Sequence, residues 1–172
     1  MDFKIIKTKN FRDNRGYFYE SYNKKNNINV NYVQDNISFS KSKGTLRGLH
    51  LQKEPFSQSK LIRVIKGKIQ DVIVDVRPDS KYFGEHKSFI ISERNKNLLF
   101  VPNGYAHGFC SLEDNTIVHY KVSNYYNPKS EITIKWNDKD LNIKWMINHR
   151  KISISKKDKL GISFQQFQNK II

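Results

Sequence analysis

A chain of 172 residues, 13% of them aromatic, holds enough apolar material for one domain with a substantial core, and those aromatics argue against global disorder despite a mean hydropathy of −0.71. The single cysteine, Cys110, excludes an internal disulfide, the opening MDFKIIKTKN carries charge where a secretory leader needs an apolar run, and no stretch approaches the about 20 apolar residues of a membrane helix. The composition therefore predicts a soluble, cytoplasmic protein with no membrane partner.

The net charge of +15, from 31 Lys and Arg against 16 Asp and Glu, raises a polyanionic partner. The lysines are scattered among asparagines and isoleucines, however, with no basic helix and no zinc-finger or RNP-like spacing, so nucleic acid is not the expected partner. A lysine-rich surface with a few cations gathered around one small phosphorylated ligand accounts for the same charge.

In chain order, Phe3 to Ile6 reads as a short strand. The segment NFRDNRGYFYESY follows, with a turn at Asp13, Asn14 and Gly16 and an aromatic strand from Tyr17 to Tyr22. Phe11, Arg15 and Glu20 lie around that turn, where edge-strand decoration is the better local reading and a binding role the alternative. After the polar loop 23–31, the run Tyr32 to Ser38 alternates. Val33, Asp35 and Ile37 share one face, and Gln34, Asn36 and Ser38 share the other, a row of hydrogen-bonding groups that suits a polar ligand or solvent equally.

The stretch GTLRGLHLQKEPFSQSKLIR, from Gly44 to Arg63, places His50 between Arg47 and Lys60 in otherwise apolar, strand-like sequence. A histidine titrates near neutrality, and the two cations suit anionic oxygens, so the trio can remove a proton and hold the resulting charge. Solvated strand ends with a hydrogen-bonded sheet histidine would have the same composition. Arg47 and His50 are three apart and would face opposite ways on a regular strand, so service in one pocket requires a bulge or kink at Gly48.

Lys60, Ile62 and Val64 share a face. Lys66-Gly67-Lys68 reads as a hairpin turn, and Ile69 to Val76 as the return strand, with Val72, Val74 and Val76 on one side and Asp71, Ile73 and Asp75 on the other. Either aspartate could orient a histidine. Arg77 to Ser80 is a turn, Lys87 to Ser92 a strand, and Leu98 to Val101 a buried strand that stops at Pro102-Asn103-Gly104.

The run Tyr105 to Phe109 begins the next strand, and His107 within it, just after the turn, is well placed for the mouth of a barrel. The pattern P-x-G-x-x-H is half of the cupin metal motif. The other half needs a histidine at position 52, which is Gln52, and no cysteine or carboxylate cluster compensates, so no metal centre is expected.

From Thr116 to Val122, Val118, Tyr120 and Val122 face one way, which turns the Tyr120 hydroxyl inward, where it needs a partner or a ligand. A turn at Tyr125 to Pro128, a strand from Glu131 to Trp136, an apolar piece to Trp145, a basic loop with His149 and Arg150, and a short helix around Phe164 to Phe167 complete the chain. The pattern predicts an antiparallel β-barrel or jelly roll of many short strands.

The ordered blocks FRDNRGYFYE, QDNISFS, GTLRGLHLQ, QSKLIRV, GKIQDVIVDVRPDS, VPNGYAHGF, HYKVSNYYNP, KSEI, KWND and SKKD resemble the dTDP-4-dehydrorhamnose 3,5-epimerase family from Phe11 to about Asp158. The resemblance implies a single all-β, cupin-type jelly-roll domain over 1–172 with a short C-terminal helical segment. It implies a homodimer that uses neither metal nor organic cofactor and acts on a dTDP-linked 4-keto-6-deoxyhexose.

Residue by residue, it implies that His50 is the base, in a dyad with Asp158, Tyr120 the acid on the opposite face, and Lys60 the cation beside the C4 oxygen. Arg47 would hold the diphosphate together with Arg15 of the other subunit, and Tyr126 would sandwich the thymine with that subunit's Phe11. Glu20, also placed across the interface, would join Gln34, Asn36, His107, Glu131 and Lys157 in the remaining contacts. Leu51 stands where the family has an aromatic residue, and Met146 where it has proline. Relatives that invert one centre, 3,4-ketoisomerases and a non-catalytic sugar-nucleotide-binding cupin are the alternatives.

Overall fold

The computed structural model describes residues 3–25 and 28–171. Thirteen strands and two short helices follow one another as β1 (Lys4–Ile6), β2 (Asn10–Asp13), β3 (Gly16–Tyr19), β4 (Gln34–Ser40), β5 (Thr45–Gln52), β6 (Lys60–Lys66), β7 (Lys68–Asp75), β8 (His86–Ser92), β9 (Leu98–Val101), β10 (Tyr105–Ser111), β11 (Thr116–Val122), β12 (Glu131–Thr133), β13 (Ser153–Ile154), α1 (Lys156–Lys159) and α2 (Phe164–Ile171). A single 3-10 turn, His149–Lys151, precedes β13.

Two sheets face each other. One has the order β1-β9-β6-β11-β4; the other has β12-β5-β10-β7-β8, with β13 lying parallel to β5. Every other pairing between named strands is antiparallel, as expected for a jelly roll. Ile62, Val64, Leu99 and Val118 of the first sheet meet Ile69, Ile73, Ile91 and Phe109 of the second in one core between them.

A second core lies on the outer side of the second sheet. Residues 141–147 alternate strictly, burying Leu141, Ile143, Trp145 and Ile147 against Leu46, Leu49, Val72 and Val74, with Phe164 and Phe167 of α2 joining them. The buried Gln70 pins this cover: its amide nitrogen donates to the Lys144 carbonyl and its oxygen accepts from the Met146 amide. Strand β7 is thus covered on both faces, which is why Asp71 and Asp75 are buried rather than solvated.

The turn at Lys66-Gly67-Lys68 is not a hairpin. β6 pairs with β9 and β11, and β7 with β8 and β10, so Gly67 carries the chain from one sheet to the other. Its φ of +83° and a would-be Cβ 2.5 Å from the Thr116 hydroxyl oxygen fit this corner to glycine. A two-strand signal of short turn and flanking apolar runs does not distinguish hairpin from corner, because the choice depends on distant partners.

The strand expected from Glu131 to Trp136 ends at Thr133, and the aromatic strand expected to reach Tyr22 ends at Tyr19. Among the described residues β2 and β3 pair only with each other, apart from both sheets. Among the described residues no helix is long and apolar enough to cross a membrane.

Candidate active site

A cavity of about 960 Å³ opens between the sheets. It gathers Gln34, Asn36, Arg47, His50, Lys60, His107, Tyr120, Tyr126, Glu131, Lys157 and Asp158, eleven of the fourteen residues singled out above. Phe11, Arg15 and Glu20 are not brought to it within this chain. They sit on or beside the β2–β3 hairpin, where Phe11 is 52% exposed and the Arg15 side chain 86% exposed, paired to Asp13 at 2.6 Å; Glu20 accepts from Asn23.

Gly48 does re-aim β5. Between β10 and β5, His107 opposes His50 while Phe109 opposes Arg47, so β5 carries one extra residue in that interval. Gly48 adopts φ +110°, and a Cβ there would lie 2.6 Å from the His107 carbonyl oxygen and 2.7 Å from Gly108 Cα. Only glycine fits both the conformation and the space. The bulge sends Arg47 and His50 to the same cavity.

Asp158 arrives from the C-terminal segment. Ser155 caps α1 by accepting from the Asp158 amide, which presents the buried carboxylate to β5. The carboxylate lies 2.6 Å from His50 Nε2 and accepts, at 3.4 Å, from the Gly48 amide. Burial alone would raise the Asp158 carboxyl, but the His50 and Gly48 contacts prevail and hold it below the ordinary aspartate value. An ionised carboxylate only accepts, so His50 Nε2 carries the proton and Nδ1 keeps the lone pair of a base.

Tyr120 stands on the opposite wall. β11 runs between β4 and β6 in the first sheet, with Asn36 and Ile62 flanking Tyr120, whereas His50 belongs to the second sheet. Burial raises the Tyr120 phenol above its ordinary value, against the opposing influence of Arg47 and Lys157, so it remains protonated at neutral pH.

Lys60 opens β6 within the cavity. Burial lowers its ammonium to about 8, while Asp71 and Glu131 act the other way. His107 Nε2 is 2.9 Å from both Asp71 oxygens, so Asp71, one of the two aspartates read as able to orient a histidine, does so; Asp75 instead pairs with Arg77 at 2.6 Å.

At the mouth, Glu131 binds Lys157 at 2.8 Å and accepts from the Tyr126 hydroxyl at 2.8 Å. Burial works against ionisation of Glu131, but these two partners keep its carboxyl below the ordinary range. Arg47 donates to the Phe39 carbonyl. Among the described residues no group of three His, Cys, Asp or Glu side chains is placed to hold a metal ion. Sequence reasoning passed over Ser155, although Ser155-x-x-Asp158 before the short helix is a capping signal that announces how Asp158 is presented.

A model of the dTDP-4-dehydrorhamnose 3,5-epimerase family matches residues 1–166. The chain belongs to that family. The family's enzyme from Shigella flexneri is 43% identical over 157 residues, covering 88% of this chain and 86% of its own. The solved 3,5-epimerase from Bacillus anthracis, with TDP and pyrophosphate bound, is 45% identical with a TM-score of 0.91, covering 95% of this chain and 94% of its own. The solved epimerase from Legionella pneumophila, in complex with dTDP-4-keto-L-rhamnose, is 38% identical with a TM-score of 0.92, covering 99% of this chain and 92% of its own. The family is one of isomerases with this all-β fold, so the fold and enzyme class implied by the sequence hold for this chain.

Proposed function

We propose that this epimerase inverts C3 and C5 of a dTDP-4-keto-6-deoxyhexose without a metal or organic cofactor, in the formation of dTDP-L-rhamnose or a related deoxysugar. The observation that carries the reading is the placement of the His50–Asp158 pair and Tyr120 on opposite walls of one cavity.

Hydrogens at C3 and C5 flank the C4 ketone, so loss of either as a proton leaves an enolate with its charge on the C4 oxygen. His50 takes the proton, and Asp158 stabilises the imidazolium that forms. Lys60 donates to the enolate oxygen in the manner of an oxyanion hole. Tyr120 returns a proton to the same carbon from the other face, which inverts it, and proton exchange with water restores His50 and Tyr120. The cycle repeated at the second carbon completes the double inversion.

Arg47 suits the diphosphate with its planar guanidinium, and Tyr126 suits the thymine ring. Gln34, Asn36, His107, Glu131 and Lys157 complete the sugar-nucleotide contacts. Phe11, Arg15 and Glu20 enter the site from the partner in a homodimer. Exposure of Phe18 at 68% and of Ile37 at 74% supports that reading, since apolar surface of this kind marks an interface. The 172 residues act as one domain, in keeping with a second core that joins β5, β7 and β10 to the C-terminal segment. The enzyme works in the cytoplasm, where thiols such as Cys110 stay reduced.

Incubation with dTDP-4-keto-6-deoxyglucose in deuterated water tests the proposal. Label at C3 and C5 supports double inversion. Label at one carbon would make the chain a single-centre relative, and no label a sugar-nucleotide-binding protein.

A further inference from the structure

Gln52 lies two residues beyond His50 on β5, only 8% exposed, at the lining of the same cavity, and has no chemical role in the reading above. Its side-chain amide nevertheless grips the chain on both sides of Tyr126. Nε2 donates to the Tyr125 carbonyl at 3.1 Å, and Oε1 accepts from the Asn127 amide at 2.7 Å. The other Nε2 hydrogen goes to the Phe56 carbonyl at 2.6 Å, in the loop that leads to Lys60.

Two more amides fasten the same loops together. Gln58 donates to the Asn124 carbonyl at 2.7 Å and Asn124 to the Pro55 carbonyl at 3.0 Å. Glu131, the register partner of Gln52 across β12 and β5, fixes the far end of the Tyr126 side chain through its hydroxyl. Tyr126 is itself 54% exposed, so packing alone does not hold it. Its position comes from hydrogen bonds at its two flanking peptides and its hydroxyl.

We infer that Gln52 is a positioning residue for nucleotide recognition, holding the Tyr126 ring ready to stack on the base of the substrate. The inference rests on the reading of Tyr126 as the ring that stacks on thymine. A ring fixed before binding loses less freedom on stacking than one on a free loop, so the benefit falls on affinity rather than on proton transfer. A glutamine does this because it offers one acceptor and two donors in one plane, and here all three are used.

The test compares the parent, Gln52→Met, Tyr126→Ala and the double variant as full-length proteins. It uses dTDP binding by calorimetry and steady-state kinetics with dTDP-4-keto-6-deoxyglucose. Tyr126→Ala should weaken dTDP about tenfold, the range for loss of one base–aromatic stack. Gln52→Met should weaken dTDP and raise KM by a similar factor while kcat changes by less than about threefold. In the Gln52→Met background, Tyr126→Ala should then cost little more.

Unchanged dTDP affinity in Gln52→Met, or a loss of kcat as large as the loss of affinity, would overturn the inference. So would a Tyr126→Ala penalty equal in both backgrounds. If Tyr126→Ala alone leaves dTDP binding intact, the stacking assignment itself fails, and the inference with it. Gln52→Glu keeps the acceptor toward Asn127 and sets a carboxylate oxygen against the Phe56 and Tyr125 carbonyls in place of the donors, so it loosens the same loop and reads the same split should the methionine variant fail to fold.

Discussion

Asp158 lies 2.6 Å from His50 across 108 positions of sequence, and the same carboxylate receives the amide of Gly48. One acidic group therefore orients the proposed base and braces the bulge that aims it. Asp158→Asn should leave dTDP affinity near the parent value and lower kcat by at least about 10²-fold, because the amide no longer favours the Nε2–H tautomer or stabilises the imidazolium. Steady-state kinetics beside dTDP calorimetry checks this.

The bulge itself is open to test. Gly48→Ala adds a Cβ within 2.7 Å of two backbone atoms, at a φ that side-chain-bearing residues rarely adopt. It should cost at least about 2 kcal/mol in a denaturant titration and abolish epimerisation in whatever fraction remains folded.

Much of this arrangement is legible in the sequence wherever it depends on alternation. Gln34 and Asn36 share the cavity face, as do Val118, Tyr120 and Val122, because period-two patterning is local. The need for a kink at Gly48 followed from the odd spacing of Arg47 and His50. Long-range choices were not legible. Gly67 turns between sheets instead of closing a hairpin, and β13 docks beside β5 to deliver Asp158, both decided by partners far along the chain. Gln52 was read only as a missing metal ligand, since hydrogen bonds to two distant loops leave no mark on sequence.

The role proposed for Lys60 predicts a reaction sensitive to alkali. Its ammonium, lowered to about 8 by burial, is present below that pH and lost as pH rises through it. In the free enzyme kcat/KM should fall above about pH 8, whereas an ordinary lysine would hold its charge to about 10. The profile of kcat, which reports the complex, should fall at higher pH, because the dianionic substrate favours the ammonium. A flat kcat/KM profile from pH 7 to 10 would contradict the role.

Tyr120→Phe removes the proposed donor and leaves the proposed base. Proton abstraction should continue, seen as exchange with solvent deuterium without inversion, and formation of the epimerised product should fall by about 10²-fold or more. NMR of the sugar at early times separates the two. Full epimerisation by this variant would assign the donor elsewhere.

Arg15 and Phe11 offer a test of the dimer. If they act in the partner's cavity, Arg15→Ala and His50→Ala subunits, each deficient alone, should complement on mixing. Random pairing rebuilds about one quarter of the parent's sites. Activity that stays at the level of the separate variants would place Arg15 outside the site.

The central claim is that one base serves both carbons. The most direct measurement is deuterium uptake at C3 and C5 of dTDP-4-keto-6-deoxyglucose by His50→Ala, followed by NMR beside the parent enzyme. The account predicts that label disappears from both positions together. Continued exchange at either carbon would show a second base and contradict it.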